Sequence, residues 1–468
     1  MRHALSLAFL SLKHLSLGVW IIASMLVLSG IVLLTSVQRT SENLQMWVFS
    51  PEHRAMYTPM IEEIRMNSAS EQKEIDLSLL SIPAIKNRMM SGFFSGLPTA
   101  DLIEVERSTV GQVFMGPPEA IGFHDLTDRL KAEGLYEQIN APSLAPWSVN
   151  GRTYGFPHDV HPVMLAYRAD LTEAAGIDLT RATTWDAFFE LLQPLMKDNN
   201  GDGRPDHYPL SMWVTQQDNI ELLMLQGGGQ LFNAEGKPTL VSDRNIELLA
   251  KIISWCAGPT PLATDIDEFS AAGHQSRVDG DAIAYLCPDW MCSIWKMHVP
   301  GIAGKMKIMP LPAFEEGGRR TSVRGGTMLG IPKTTQEFDQ AWDTAVQLYT
   351  SPEIARELYR MVDIISPIRS LWDDPVYAQP DPFFMDQKKG LMFIELAPNI
   401  PVRSSSPYNY NAVLEIRDSA TTLLKWTAQQ DQMDQEQLRA QTRLELERAQ
   451  LAIQRQMSRN AFTGVEAE

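Results

Sequence analysis

The sequence predicts an α/β protein, and three observations support this class. Short apolar stretches typical of strands, such as QMWVFS at 45–50 and the segment 163–167, alternate with helical segments. The composition, with 44% hydrophobic and 21% charged residues, excludes a disordered or collagen-like chain. The length of 468 residues exceeds what one hydrophobic core usually serves, so we expect two or three folded units.

The N-terminal segment is basic and apolar. Residues 15–37 contain no charged residue, and a helix of this length spans ~35 Å, enough for the hydrocarbon core of a bilayer. We predict a transmembrane signal-anchor at 15–37, with a long cleaved signal peptide as the alternative. Because Arg2 and Lys13 precede this segment, residues 1–14 are placed in the cytoplasm and the body on the periplasmic or extracellular face.

The rest of the chain is acidic. The formal net charge of the whole protein is −17, although residues 1–40 contain basic residues and no acid. This charge disfavours phosphate backbones, so we expect no nucleic-acid partner. It also repels anionic lipid headgroups, so we expect membrane contact only through the apolar N-terminal helix.

Three cysteines, Cys256, Cys287 and Cys292, lie in the body of the chain. An oxidising compartment allows one disulfide and leaves one thiol over. The alternative is three buried apolar thiols, and the sequence leaves both open. No CxxC or Cys/His spacing indicates zinc.

Several helix boundaries are marked in the second half of the chain. Thr334 and Glu337 form a capping box ahead of an apolar helical stripe. Ser351 precedes Pro352 and Glu353 in a pattern that begins another helix. The segment from about 431 to 457 is rich in Gln, Glu, Arg and Leu, which predicts a solvated terminal helix packed along one stripe.

Catalytic signatures are absent from the sequence, which contains no GxSxG, HExxH, Walker or kinase motif. Glu104 and Glu106 lie two residues apart, so on a strand they share one face. Glycoside hydrolysis needs two carboxylates that flank a sugar from opposite sides. The sequence shows only neighbours, so we predict a protein that is not an enzyme and keep a membrane-anchored glycoside hydrolase as the alternative.

The stretch DNNGDGRPD is similar to the first part of a calcium loop. It presents side-chain oxygens at Asp198, Asn200, Asp202 and Asp206, but Pro209 stands where the bidentate acid is expected. Such residues also form Asx-turns without a metal. We therefore expect no cofactor other than a structural calcium ion at these four residues.

Aromatic side chains recur beside predicted turns and strand ends. They are Trp47, Trp213, Trp290, Trp372, Tyr408 and Tyr410. Sugar rings present apolar C–H faces edged by hydroxyl groups, which proteins hold with aromatic rings and polar hydrogen-bonding groups. A core role is the alternative for each aromatic taken alone, and only their recurrence in loops favours carbohydrate binding.

Four motifs in order resemble the extracellular solute-binding proteins of family 1, the carbohydrate-binding subunits of bacterial ABC importers. They are YGFPHDVHPVMLAYRADLTEAAGIDLTRATTWDAF at 154–188, NNGDGRPD, VDGDAIAYLCPDW at 278–290, and RGGTMLGIPKTT followed by the Trp342 helix. The similarity runs from about Leu44 to about Met457. The chain departs from the family at Tyr167-Arg168, where Tyr-Asn is usual, and in lacking the lipobox cysteine.

This resemblance implies a two-lobe periplasmic-binding-protein-like fold of type II, with lobes that are discontinuous in sequence and a ligand cleft between them. The hinge crossings are expected near 157–162, 276–281 and 324–331. The implied division is a first lobe at 44–160 plus 281–328, a second lobe at 161–280 plus 329–427, and a C-terminal helix and tail at 428–468.

The resemblance also implies capture of a sugar or oligosaccharide in the cleft and its delivery to ABC transporter permease subunits. A tethered sugar sensor is a further alternative. The expected ligand-binding residues are Trp47, Glu104, Asp159, Trp213, Trp290, Gly325, Gly326, Trp372 and Tyr410. Asp159 and His161 are equally suited to hydrogen bonding within the hinge, and a plain turn is the alternative for the two glycines.

Overall fold

The structure is a computed structural model that describes residues 16–35, 43–67, 73–198, 201, 205–258, 260–430 and 434–460. It divides into two units, Met1–Asn43 and Leu44–Glu468. In the first unit, helix α1 (Leu17–Thr35) lies inside the predicted span 15–37. Across the described ranges no helix is both long and apolar enough to cross a bilayer, so the predicted transmembrane signal-anchor is not supported.

Short strands alternate with helices throughout the second unit, as the sequence predicts. The strands are β1 (Leu44–Val48), β2 (Ile75–Leu79), β3 (Leu102–Glu106), β4 (Ser148–Val149), β5 (Arg152–Thr153), β6 (Phe156–Pro157), β7 (Pro162–Arg168), β8 (Tyr208–Ser211), β9 (Ala263–Thr264), β10 (Ala282–Pro288), β11 (Met306–Pro310), β12 (Ser322–Val323) and β13 (Thr327–Gly330). All residues of β7 and β10 are buried, which is typical of central strands covered on both faces.

The helices of this unit cover the sheets and fill the connections between strands. They are α2 (Pro51–Asn67), α3 (Ile82–Ser95), α4 (Arg107–Val113), α5 (Thr127–Ala132), α6 (Ala141–Leu144), α7 (Ala169–Ala174), α8 (Trp185–Leu192), α9 (Gln217–Gln226), α10 (Asp243–Cys256), α11 (Ala271–Asp279), α12 (Met291–His298), α13 (Phe338–Thr350), α14 (Pro352–Val362), α15 (Lys389–Leu396), α16 (Asn409–Thr427) and α17 (Gln435–Ser458). Helix α17 buries one stripe that includes Leu438, Leu446 and Ile453, as predicted for the terminal helix.

Two sheets form the centres of two lobes. The first sheet has the order β2-β1-β3-β13-β6, in which β2, β1 and β3 are parallel and β13 is antiparallel to both of its neighbours. The second has the order β11-β7-β10-β8-β9, with β12 also beside β7. Strands β10, β8 and β9 are parallel, whereas β7 is antiparallel to β10, β11 and β12.

The strand pairing corrects the predicted lobe boundaries. Residues 281–328 were assigned to the first lobe, but β10, β11 and β12 all belong to the second sheet with β7. The part of 329–427 that contains α13 and α14 was assigned to the second lobe, but these helices pack on the core of the first sheet. The physical reason is that β10, β11 and β12 all pair with β7, so the chain leaves the second sheet only after β12.

The same strand pairing shows which of the three predicted hinge crossings connect the two sheets. The segment 157–162 connects β6 to β7, and 324–331 begins between β12 and β13, so both lead from one sheet to the other. The segment 276–281 instead connects α11 to β10 within the second lobe, so that prediction was wrong. A third crossing follows α14, since Ile364 packs in the first-lobe core and Val376 in a core around β10 and α12.

The predicted helix starts are confirmed in part. Ser351 caps α14 by accepting hydrogen bonds from the backbone of Glu353 and Ile354, and Pro352 occupies the first helical position. The capping box at Thr334 was wrong, because α13 begins only at Phe338 and Thr334 Oγ1 bonds to Thr99 Oγ1 instead. Tertiary packing, rather than the local capping motif, therefore sets the start of α13.

The three cysteines are free thiols, which agrees with the alternative of buried thiols. Cys287 and Cys292 are buried with their Sγ atoms 3.7 Å apart. Cys256 is partly buried, and desolvation raises the pKa of its thiol. A raised pKa keeps a thiol protonated and unreactive near neutral pH.

Candidate functional site

Three aromatic side chains, which we call the aromatic platform (Trp213, Phe269 and Trp290), follow the parallel strands β8, β9 and β10. Ligands of open α/β sheets bind at the carboxyl ends of such strands. The Phe269 ring is nearly parallel to the Trp290 ring at a centroid distance of 6.3 Å, and it meets the Trp213 ring edge-on, also at 6.3 Å. Phe269 is 39% exposed, so the platform presents apolar surface to solvent.

The Arg324 guanidinium adds a charged donor to the platform. It lies 5.4 Å from the Trp290 ring centroid and 5.9 Å from that of Phe269, and it pairs with Glu268. Arg324 is only 2% exposed, and its Nη1 has no hydrogen-bond partner among the described residues. Because an unpaired buried donor costs about 1–3 kcal/mol, this nitrogen is suited to an oxygen acceptor on a ligand.

Gly325 and Gly326 shape the backbone next to the platform. Their φ angles of 99° and 136° lie in a region that side chains disfavour. A Cβ on Gly325 would lie 2.8 Å from His161 Cδ2 and 3.1 Å from Trp290 Nε1. Glycine here is therefore required by the turn and by close packing against Trp290. The role predicted for these two residues, as backbone donors to a ligand, stays a prediction.

A buried group of charges, the hinge cluster (Asp159, His161 and Asp289), joins the crossings. The Asp159 carboxylate lies 3.0 Å from His161 Nε2, and the Asp289 carboxylate 2.8 Å from His161 Nδ1. Asp159 also accepts a bond from the backbone of Thr327, and Asp289 from that of Ile365. These contacts place Asp159 and His161 in hinge hydrogen bonding, one of the two roles predicted for them.

The hinge cluster holds its histidine as a cation. Burial alone would lower the pKa of His161, but the carboxylates of Asp159 and Asp289 outweigh it and raise this pKa to about 10. Burial would raise the pKa of Asp159, yet the His161 charge lowers it below its usual range. Both ring nitrogens of His161 and both carboxylates therefore find their partners within the protein.

A second charged group, the interlobe bridge (Arg107, Asp218 and Glu221), links the lobes. Arg107 begins α4, directly after β3 of the first sheet, whereas Asp218 and Glu221 lie on α9 of the second lobe. Arg107 Nη2 lies 2.5 Å from Asp218 and 3.0 Å from Glu221. Arg107 and Glu221 are 5% and 4% exposed, so this ion pair is shielded from water.

Tyr410 and Arg403 lie beside the interlobe bridge. The Arg107 guanidinium is 5.4 Å from the Tyr410 ring centroid, and the Tyr410 hydroxyl accepts a bond from Gln217. Arg403 donates to the Gly325 carbonyl at 2.7 Å, and burial together with the Arg107 charge lowers the pKa of Arg403 to about 10. Arg107, Arg403 and Tyr410 line a cavity of about 30 Å³, which holds no more than a water molecule.

Two other predicted ligand residues also make packing contacts. Trp47 is half-buried in β1 with the Arg88 guanidinium 5.9 Å from its ring, and it packs on a core of the first lobe. Trp372 donates from Nε1 to the Ser366 carbonyl at 2.8 Å and packs, like Trp290, against the core around α12. Trp213 and Trp290 both contact Phe269, and the ligand-binding roles of Trp47 and Trp372 stay predictions.

Glu104 is fully buried within the first lobe. Its Oε1 accepts bonds from the hydroxyls of Tyr57 at 2.8 Å and Tyr349 at 3.0 Å, and its Oε2 lies 3.0 Å from His53 Nδ1. Glu106 instead caps α4 by accepting from the Ser108 backbone. The two carboxylates predicted as neighbours on one strand therefore do not face a common space, and Glu104 has no exposed surface.

The predicted calcium loop is described only in part. Asn200 and Asp202 lie outside the described residues, so the four-residue site is not tested. Asp198 Oδ1 accepts a bond from the Gly201 backbone, three residues on, at 2.6 Å.

The sequence reasoning missed three residues of the site. Arg324 directly precedes the two glycines in a recognised motif, and Arg107 follows the last residue of β3, so position carried a signal for both. Phe269 follows a strand of only two residues, and nothing in its local sequence distinguishes it from a surface aromatic.

Comparisons with known proteins fit this geometry. Residues 95–384 match the family model of the bacterial extracellular solute-binding proteins. The chain is 24% identical over 353 residues to the arabinooligosaccharide-binding protein of Halalkalibacterium halodurans, covering 72% of this chain and 74% of the relative. It is 21% identical over 408 residues to the lactose-binding protein of Rhizobium radiobacter, covering 84% and 90%.

Solved structures show the same fold. The sugar-binding protein MalE of Xanthomonas citri aligns with a TM-score of 0.71 at 15% identity, covering 89% of this chain and 99% of that one. The ABC transporter associated binding protein of B. animalis subsp. lactis, in complex with beta-1,6-galactobiose, aligns with a TM-score of 0.65 at 15% identity, covering 91% and 99%. These similarities confirm the predicted two-lobe α/β fold.

Proposed function

We propose, since the chain belongs to the bacterial extracellular solute-binding protein family, that it captures a sugar or oligosaccharide between its lobes and delivers it to the permease subunits of an ABC importer. The observation that carries this proposal is the aromatic platform beside the unpaired Nη1 of Arg324. The names of the arabinooligosaccharide- and lactose-binding relatives support a sugar as the ligand.

The platform suits the surface of a sugar. A pyranose or furanose ring offers a flat apolar C–H face, which packs on an aromatic ring, and hydroxyl groups at its edge, which bond to charged and polar groups. The Phe269 side chain is 39% exposed, and Arg324 supplies a donor within the same cluster.

The interlobe bridge supports a closed form of the protein. Hinge closure around a ligand brings groups of the two lobes into contact. Arg107 makes such a contact, because its charge is satisfied by Asp218 and Glu221 of the other lobe. We infer that this ion pair forms on closure and stabilises the conformation that docks on the permease.

We infer binding without covalent change of the sugar. A glycoside hydrolase needs two carboxylates that reach the glycosidic bond from opposite sides. Glu104 is fully buried and bonded to Tyr57, Tyr349 and His53, whereas Glu106 caps a helix. This arrangement supports a ligand-binding protein over the alternative of a glycosidase.

We propose an extracytoplasmic location, with the apolar segment 15–37 directing export. The family supports a place outside the cytoplasm. Retention of this segment as a membrane tether was the finer prediction. Cell fractionation with N-terminal sequencing decides: a tethered chain is found in the membrane fraction with its N-terminus intact, and a processed chain is released without it.

A structural calcium ion at Asp198, Asn200, Asp202 and Asp206 also stays a proposal. If the ion binds, removal by the calcium-selective chelator EGTA lowers Tm and added Ca²⁺ restores it. The double variant D202N/D206N should then lose the response to Ca²⁺, and an unchanged Tm in the wild type would argue against the site.

The central test is a thermal-shift screen of the purified full-length chain against arabinooligosaccharides, lactose and beta-1,6-galactobiose. A bound sugar raises Tm by mass action, and chromatography should recover it unaltered. Absence of any shift across a wide set of mono- and oligosaccharides would contradict sugar binding. Turnover of the sugar would favour the glycosidase instead. If the protein binds the sugar but a strain that lacks the protein still imports that sugar normally, the tethered sensor is favoured.

A further inference from the structure

Three potential metal ligands meet inside the first lobe, in a group that we call the buried triad (His53, Glu104 and His158). His53 lies on α2, Glu104 on β3, and His158 in the crossing between β6 and β7. Their ligand atoms all lie within 4.8 Å of one another. The three side chains are buried, at 6%, 0% and 4% exposure. The triad is separate from the aromatic platform of the second lobe.

Hydrogen bonding within the triad is incomplete. Glu104 is satisfied by His53, Tyr57 and Tyr349. His158, by contrast, has no hydrogen-bond partner at either ring nitrogen within the described part of the chain. Asp159 Oδ2 lies 3.4 Å from His158 Nδ1 but without the alignment of a hydrogen bond. Since buried polar groups are nearly always paired, an unpaired imidazole in the core indicates a missing partner.

The surroundings hold the His158 ring in place. Its centroid lies 4.3 Å from that of His53 and 5.2 Å from that of Tyr349. An unpaired, buried imidazole beside a second histidine and a carboxylate is a donor set that divalent transition metals bind.

We propose that the buried triad binds one divalent transition-metal ion, with zinc the best fit. Two nitrogens and one carboxylate oxygen form a common zinc ligand set, and ligands at 2.0–2.2 Å from a tetrahedral ion lie ~3.3 Å apart. His53 Nδ1 and Glu104 Oε2 already lie 3.0 Å apart. Small movements of His158 toward this pair complete the set, and the metal then replaces the hydrogen bond between them.

The tyrosine hydroxyls support the Glu104 ligand. Tyr57 and Tyr349 both donate to Oε1, which fixes the carboxylate and leaves Oε2 for the ion. Such outer contacts are typical of metal sites, where they orient the ligands. The site joins α2, β3 and the crossing 157–162, so bound zinc would stiffen the hinge at its first-lobe end.

The test uses the full-length chain stripped of metal by chelation, with Zn²⁺ as the probe. We expect one zinc ion per chain by isothermal titration and a rise in Tm. The variant H158Q should bind zinc at least 100-fold more weakly. The matched control is H274Q, because His274 also stacks on another histidine, His298, at 5.0 Å, yet lies outside the triad. Zinc binding by H274Q should equal that of the wild type.

Two results would overturn the proposal: no stoichiometric zinc binding by the wild type, or equal binding by the wild type and H158Q. If circular dichroism shows that H158Q does not fold, wild-type crystals soaked in Zn²⁺ decide the question. An anomalous scattering peak among His53, Glu104 and His158 supports the site, and its absence from that position rejects it. Neither readout depends on whether the protein binds a sugar.

Discussion

The hinge cluster and the aromatic platform lie next to each other, but they differ in how far their polar atoms are hydrogen-bonded. In the hinge cluster, His161 is paired on both nitrogens and each carboxylate also accepts a backbone bond. On the platform, Arg324 Nη1 has no hydrogen-bond partner among the described residues, and the Phe269 side chain is 39% exposed. Satisfied groups contribute to stability, whereas unsatisfied groups are open to a ligand. Substitutions in the two regions should therefore separate stability from affinity.

The largest effect is expected at the interlobe bridge, whose buried ionic contacts join the two lobes. R107M leaves Glu221, only 4% exposed, without its main countercharge, and breaking such a buried pair costs about 3–5 kcal/mol. Because this pair is inferred to form on closure, urea denaturation of the protein saturated with its sugar should show the loss in the free energy of unfolding. The control R152M removes a surface arginine paired with Asp125 and Asp128, and it should lower stability much less than R107M does. Equal losses in both variants would show that Arg107 does not bridge the lobes.

Trp290 lies beside the hinge cluster and within the platform, so W290A should lower both the free energy of unfolding and the affinity for the sugar. Trp290 donates to the Arg324 carbonyl and packs on cores of both lobes, and its ring also stacks on Phe269 in the platform. Central aromatic contacts carry about 2–4 kcal/mol of binding energy, which corresponds to ~30-fold or more in Kd. Isothermal titration with the sugar found in the screen measures the change. A Kd that stays at the wild-type value would remove Trp290 from the site.

The hinge cluster should make stability depend on pH. The pKa of His161 is raised to about 10, above about 6.5 in the unfolded chain. Its contribution is therefore complete below pH ~6.5 and is lost as pH rises to about 10, at up to about 1.4 kcal/mol per pH unit. Tm measured across this range should fall in the wild type. In H161Q the fall should be smaller, and an identical profile would show that another group titrates.

Substitution of Phe269 should have the smallest effect, and it should lower sugar affinity with little change in stability. Because its side chain is 39% exposed, F269A should leave the free energy of unfolding within about 1 kcal/mol of wild type. Loss of one stacking face should weaken sugar binding by about 1 kcal/mol. The matched control is F94A, which removes an exposed phenylalanine of the first lobe. Weaker binding in F94A, or unchanged binding in F269A, would contradict the assignment of the platform.

The sequence predicted the fold and one centre of the site through extended motifs. The stretch at 278–290 indicated the strand β10 and the turn that carries Trp290, because a strand and its following turn form a local pattern. The ligand-binding role of Trp290 stays a prediction. The division into lobes could not be predicted from local motifs, because strands such as β10 and β13 pair with strands far away in the chain. Arg107, Asp218 and Arg403 meet only through the tertiary fold, and no spacing in the sequence marks them as neighbours.

Glu104 shows why residue type alone misleads. A glutamate two residues from another on one strand fits a catalytic pair, a ligand contact or a core polar group equally well. The hydroxyls of Tyr57 and Tyr349 donate to its carboxylate inside the core, which favours a buried polar role over a catalytic pair. Tyr349 lies far along the chain on α13, so only the folded structure brings this information together.

The position of β13 also sets an order of assembly. This strand lies between β3 and β6 in the first sheet but follows the entire second sheet in the chain. A polypeptide that emerges from its N-terminus therefore presents every strand of the second sheet before the centre of the first sheet can close. Such long-range pairing is slow, and pulse-labelled hydrogen exchange should show protection of β7 and β10 before β3. The first sheet thus closes only after all strands of the second sheet have been made.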